Sequence, residues 1–71
     1  MNNFAIARDF EEGRTEFLRE EYGPDCYTDD IGCAIIYDER SAIRELIDDE
    51  YAIKLKFDID GGIEGYERVE L

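Results

Sequence analysis

Histidine is absent from the chain, serine occurs once, at Ser41, and proline once, at Pro24. Each scarcity excludes something. Without histidine the commonest general base is missing. The two cysteines, Cys26 and Cys33, cannot by themselves complete a four-ligand zinc site. A nucleophilic cysteine needs cationic neighbours, whereas these two sit among Asp25, Asp29 and Asp30. Paired carboxylates do acid–base work only in a cleft that separates their pKa values, and 71 residues leave little room for one. The expectation is a protein that is not an enzyme and needs no cofactor or metal. No apolar run approaches the ~20 residues of a membrane helix, and no secretory leader is read at the start. A short-range Cys26–Cys33 disulfide is geometrically possible, and reduced thiols in a soluble, cytoplasmic protein are the expectation.

Positive charge is scarce beside negative charge. Eight Lys and Arg face 20 Asp and Glu, for a net charge of −12. The imbalance runs along the whole chain. Residues 1–24 carry 6 acids and 3 bases, 25–40 carry 5 and 1, 41–50 carry 4 and 1, and 51–71 carry 5 and 3. This describes an acidic globule whose charges repel one another on compaction, and its magnitude exceeds the ~2–8 usual for a small domain. Direct binding to nucleic acid or to an anionic membrane is disfavoured, because both require cationic surface. A basic partner is the natural complement. With 44% hydrophobic residues, four Phe and five Tyr, the chain has material for a core. It reads as one domain over residues 1–71, without repeat or linker.

The expected fold class is α+β, with two helices packed on a small antiparallel sheet that ends in a C-terminal β-hairpin. "ARDFEEGRTEFLREEYG" (7–23) reads as the first helix. Asp9 with Glu12 gives a capping-box-like start. Ile6, Phe10, Phe17 and Leu18 share one side with Gly13, and Gly23–Pro24 gives the stop. Residues 3–8 are compatible with helix or strand, and an opening of the same helix is the favoured reading. "PDCYTDD" is a loop, and "IGCAIIY" (31–37) a short buried strand. "DERSAIRELIDDE" (38–50) is the second helix, capped by Asp38 or Ser41, with Ile43, Leu46 and Ile47 inward. "YAIKLKFDI" (51–59) alternates strictly, with Tyr51, Ile53, Leu55, Phe57 and Ile59 on one face. "DGG" turns the chain into a last strand, "IEGYERVEL", with Ile63, Val69 and Leu71 inward and a bulge near Gly65.

"DIDGG" (58–62) brings two carboxylates next to glycine, but a calcium-binding EF-hand loop needs a third ligand and a different spacing. A turn through positive φ is the expected role. The candidate functional residues are acids at the surface. On a helix Asp9, Glu12, Glu16 and Glu20 fall within about 80° of each other, and the last three repeat every ~6 Å along the axis. That is close to the advance of two phosphates at 3.4 Å each. Asp25, Asp29 and Asp30 form a loop cluster. Asp48, Asp49 and Glu50 close the second helix at its negative end, where carboxylates cost a few tenths of a kcal/mol or more.

The acidic α+β pattern, with stretches such as "RDFEEGRTEFLREE" and "RELIDDE" in so small a chain, resembles the nucleic-acid-mimic inhibitors that phages make against host defences. Anti-CRISPR proteins are most alike, and anti-restriction proteins more distantly so. The resemblance implies a non-catalytic protein acting in the host cytoplasm. It would bind a basic protein or ribonucleoprotein, such as a Cas effector or surveillance complex, through these acids and block target-DNA recognition without a cofactor. Two alternatives stand beside it. An acidic regulatory partner, such as an antitoxin holding one basic cognate protein, would add apolar anchors from Tyr22, Tyr27, Tyr37 or Tyr66. In a halophilic protein the charge would serve solubility alone. Six arginines against two lysines lean that way, and the isoleucine and aromatic content does not.

Overall fold

The computed structural model describes residues 2–47 and 49–69. Where a first helix is expected, the chain forms a β-hairpin. Strand β1 runs over Phe4–Glu11 and β2 over Arg14–Leu18, joined by the two-residue turn Glu12–Gly13. The two strands pair antiparallel, Ala7 with Phe17, Arg8 with Glu16 and Asp9 with Thr15, with a register shift at Phe10. Two features favour the strand. Gly13 adopts φ 81°, a left-handed conformation that glycine enters without a Cβ clash. "FAIA" is apolar at consecutive positions, as a strand covered on both faces must be, and Phe4 to Ala7 are all buried. Over the described residues the chain is therefore a mostly antiparallel sheet with one short helix and a 3₁₀ turn, which corrects the expected pair of helices on a sheet.

The five strands lie in the order β3-β2-β1-β4-β5, with every neighbouring pair antiparallel. β3 is only Tyr27–Thr28, at the edge beside β2. "IGCAIIY" is not a strand. Ile31–Cys33 make a 3₁₀ turn capped by the Asp30 carboxylate, and Tyr37 bonds Phe4 through both backbone groups. Helix α1 covers only Glu39–Arg44, with Asp38 as its N-cap accepting from the Ser41 amide at 2.7 Å. It stops because the Ile47 N–H, which a continuing helix would give to Ile43, goes instead to the Glu50 carboxylate at 3.0 Å. Ile47 is exposed as a result, while Ile43 and Leu46 pack inward.

β4 (Tyr51–Phe57) and β5 (Ile63–Arg68) form the C-terminal hairpin, with the register shift falling at Glu64 beside Gly65. Asp58 holds the turn by accepting from the Asp60 and Gly62 amides, both at 2.9 Å, and Gly61 takes φ 87°. The alternation of β4 holds for Ile53 and Leu55, which are buried. It fails at Phe57 and Ile59, which leave the core as the hairpin projects outward, and Ile59 is fully exposed. Leu71, expected inward, lies outside the described residues.

The core has two sides, because β1 and β4 bury both faces. On one face Phe4, Ile6, Leu18 and Ala52 meet Tyr37 and Ala42 of α1. On the other, Ala5, Ala7, Phe17, Ile53 and Leu55 meet Ile31, Ala34 and Ile63. There the Phe17 and Tyr66 rings meet edge to face, 5.5 Å between centroids. Three strand spacings of ~4.8 Å separate β2 from β5 in a flat sheet. The sheet must therefore coil toward this face, and the small side chains of Ala5 and Ala7 beneath the rings leave room for it.

Candidate functional site

The hairpin dissolves the expected helical stripe. Glu12 sits in the β1–β2 turn, Glu16 within β2 and Glu20 beyond its end, so they form no row with a four-residue repeat. Several candidate acids are occupied by the fold itself. Glu16 accepts from Arg8 Nε and Nη2 at 3.2 and 3.0 Å, and Glu20 pairs with Arg19 at 3.2 Å. Asp9 accepts from the Thr15 hydroxyl at 3.3 Å and the Tyr51 hydroxyl at 2.8 Å. Asp30 accepts from the Gly32 amide at 2.9 Å. Glu50 takes the Ile47 amide on one oxygen and the Tyr27 hydroxyl on the other. It lies six residues past the end of α1, so the expected conflict with the helix dipole does not arise. Glu12, Asp25, Asp29 and Asp49 are exposed, and within the described residues their side chains have no bond to protein. Asp48 lies outside the described residues.

Tyrosine–carboxylate bonds recur. Tyr27 donates to Glu50, Tyr37 to Glu21 and Tyr51 to Asp9, joining segments distant in sequence. Burial and then the bond to Glu50 push the Tyr27 phenol up to about 12. Tyr37 is raised by burial and by Glu21, and Tyr51 by burial and by Asp9. A phenol that must give up its proton beside a carboxylate holds it more tightly. Arginine completes two of these units. The Arg8 guanidinium lies 3.4 Å from the Tyr27 ring centroid, and that of Arg68 lies 4.2 Å from Tyr51.

Three surface depressions gather candidate acids. Glu16 and Asp29 line a hollow of about 410 Å³ with Phe10, Arg14 and Tyr27. The end of the β1–β2 hairpin carries Asp9 and Glu12 around Arg14. A third hollow, also about 410 Å³, lies between the end of α1 and the β2–β3 side of the sheet. Leu18, Glu21, Tyr22, Cys26, Tyr27, Glu45, Ile47 and Glu50 line it. Sequence reasoning proposed Glu50 and two of its tyrosines but missed Glu21 and Glu45. Nothing local marks them, because only the strand order brings residue 21 near residue 45.

Among the tyrosines weighed as anchors, Tyr22 is 86% exposed and Tyr66 half so, whereas Tyr37 is buried in the core. Both thiols are free, with Cys26 Sγ donating to the Gly23 carbonyl at 3.0 Å. Among the described residues no helix is long and apolar enough to cross a membrane, and no three cysteines or carboxylates are placed to hold a metal ion. No protein-family model, no curated protein and no solved structure matches the chain.

Proposed function

We propose that the chain is a non-catalytic acidic inhibitor that occupies a basic, nucleic-acid-binding surface of a host-defence complex in the cytoplasm, in the manner of an anti-CRISPR DNA mimic. The observation that carries this reading is the net charge of −12, to which every segment of the sequence contributes a negative share. Lysines and arginines arranged for phosphates accept carboxylates, and the opposite fields of the two bodies speed their encounter. The support is the charge field, not phosphate-like spacing, since the helical row does not form. Among the described residues, the candidate acids whose side chains have no bond to protein, Glu12, Asp25, Asp29 and Asp49, are the first to offer that field to a partner.

Competition tests it. The chain displaces target duplex DNA from a purified Cas surveillance complex at low ionic strength, and the displacement weakens steeply as salt rises. Reversal of Glu12, Asp25, Asp29 and Asp49 to Lys reduces displacement while leaving the folded spectrum unchanged. No displacement at low salt refutes the reading. One observation favours the second reading, an acidic regulatory partner of one basic protein: the hollow beside α1 combines exposed Tyr22 and Ile47 with three carboxylates. That reading predicts a tight complex that survives salt, because apolar burial is not screened.

A further inference from the structure

The hollow between the end of α1 and the β2–β3 side of the sheet has walls that are at once apolar and acidic. Leu18, Cys26, Tyr22 and Ile47 supply apolar surface, with Tyr22 86% and Ile47 61% exposed. Glu21, Glu45 and Glu50 supply three carboxylates, and among the described residues no lysine or arginine lines the hollow. The fold aims two of the three. Glu21 is held by the Tyr37 hydroxyl at 2.9 Å, and Glu50 by the Tyr27 hydroxyl and the Ile47 amide. Carboxylates fixed in this way lose less side-chain freedom when a cation arrives.

The molecule itself indicates which cation fits. Twice the fold assembles an arginine, a tyrosine ring and a carboxylate: Arg8 with Tyr27 and Glu16, and Arg68 with Tyr51, whose hydroxyl bonds Asp9. The hollow repeats the tyrosine, as Tyr22, and the carboxylates; Arg8 already occupies the ring of its other tyrosine, Tyr27, and the Tyr22 ring has no such cation among the described residues. The geometry points to this hollow as the seat of an arginine side chain presented by the basic partner. The stem lies along Leu18 and Ile47, the guanidinium plane stacks on Tyr22, and its donors meet Glu21, Glu45 and Glu50. Lysine is the poorer occupant, because a compact ammonium neither stacks nor presents a planar fork. The proposal rests on the partner being basic, and it adds a specific contact to the diffuse field.

The test is an amide-shift titration of isotope-labelled protein with a blocked hexapeptide of alternating arginine and glycine. Its lysine counterpart is titrated at the same ionic strength. The arginine peptide binds more tightly, with saturating shifts at Leu18, Cys26, Ile47 and Glu50. Glu45→Gln, which removes a carboxylate unbonded within the described residues, weakens it by roughly three- to fivefold. Ile47→Ser, at an exposed wall, also weakens it. Glu64→Gln, a charge of β5 away from the hollow, leaves it within twofold or so of the parent. Equal affinity for the two peptides, with equal losses from Glu45→Gln and Glu64→Gln, overturns the arginine seat and leaves the diffuse acidic surface standing. Absence of binding by either peptide at low ionic strength overturns both.

Discussion

Replacing Arg8 with methionine tests the most heavily used side chain on the helix-covered face. Its guanidinium gives two hydrogen bonds to one Glu16 oxygen, at 3.2 and 3.0 Å, with the two side chains 30% and 25% exposed. At that exposure the pair falls between a surface ion pair and a buried charged hydrogen bond, which places its removal at about 1–2 kcal/mol. Stacking at 3.4 Å over Tyr27 adds about 0.5–1 kcal/mol. Methionine keeps much of the stem's packing, so the expected loss is about 1.5–3 kcal/mol. Against the roughly 4–10 kcal/mol usual for a chain of this length, that is a large fraction. Urea unfolding followed by circular dichroism reads it as a lower midpoint with an unchanged slope. Glu16→Gln in the Arg8→Met background recovers part of the loss, since it removes the carboxylate left without its partner. A single variant within about 0.5 kcal/mol of the parent, or costs that simply add, refutes the reasoning.

Gly13→Ala lowers stability by about 1–2 kcal/mol, because its φ of 81° is strained for any residue with a Cβ although nothing lies within 4 Å. The melting temperature falls by roughly 4–15 °C. Gly65→Ala, equally open but without positive φ, is neutral or stabilises slightly; equal losses at the two positions contradict the hairpin. Tyr27, raised from 10.0 to about 12, contributes stability that is complete below pH 10 and is lost as pH rises through the interval to about 12. The folded chain keeps a proton there that the unfolded chain has released. One such group limits the slope to about 1.4 kcal/mol per pH unit. Tyr27→Phe flattens stability against pH in that window, and an unchanged slope there argues against the Glu50 bond.

The parts of the fold legible in the sequence are those set by neighbours along the chain. The period-2 run of β4, the Asp58–Gly62 turn and the Asp38 cap all rest on local chemistry. The first hairpin was not legible from helical spacing, because Ile6, Phe10 and Phe17 satisfy that spacing while Phe4, Ile6 and Phe10 also alternate. "EEG" at 11–13 is the deciding signal, since glycine inside an apolar side more economically marks a turn. The brevity of α1 depends on a Glu50 side chain reaching back to an amide, and no propensity encodes that. The candidate acids show the same division. Their abundance is plain in composition, but their employment is not. Glu16, Glu20 and Asp9 bond partners chosen by strand register, which leaves a different subset for any partner molecule.

The earliest strand of the chain is the central one, and its second neighbour comes late: Phe4 of β1 pairs with Lys54 of β4. While the chain is being synthesised, β1 and β2 emerge as an isolated two-stranded hairpin, which is marginal alone in water. The apolar run Phe4–Ala7 then lies along an open edge until β4 arrives, and such edges invite pairing with other chains. Contacts this distant in sequence close slowly. A ribosome stalled before Tyr51 holds a chain whose strong negative charge is its main defence against edge-to-edge association, a use for the acids that needs no partner at all.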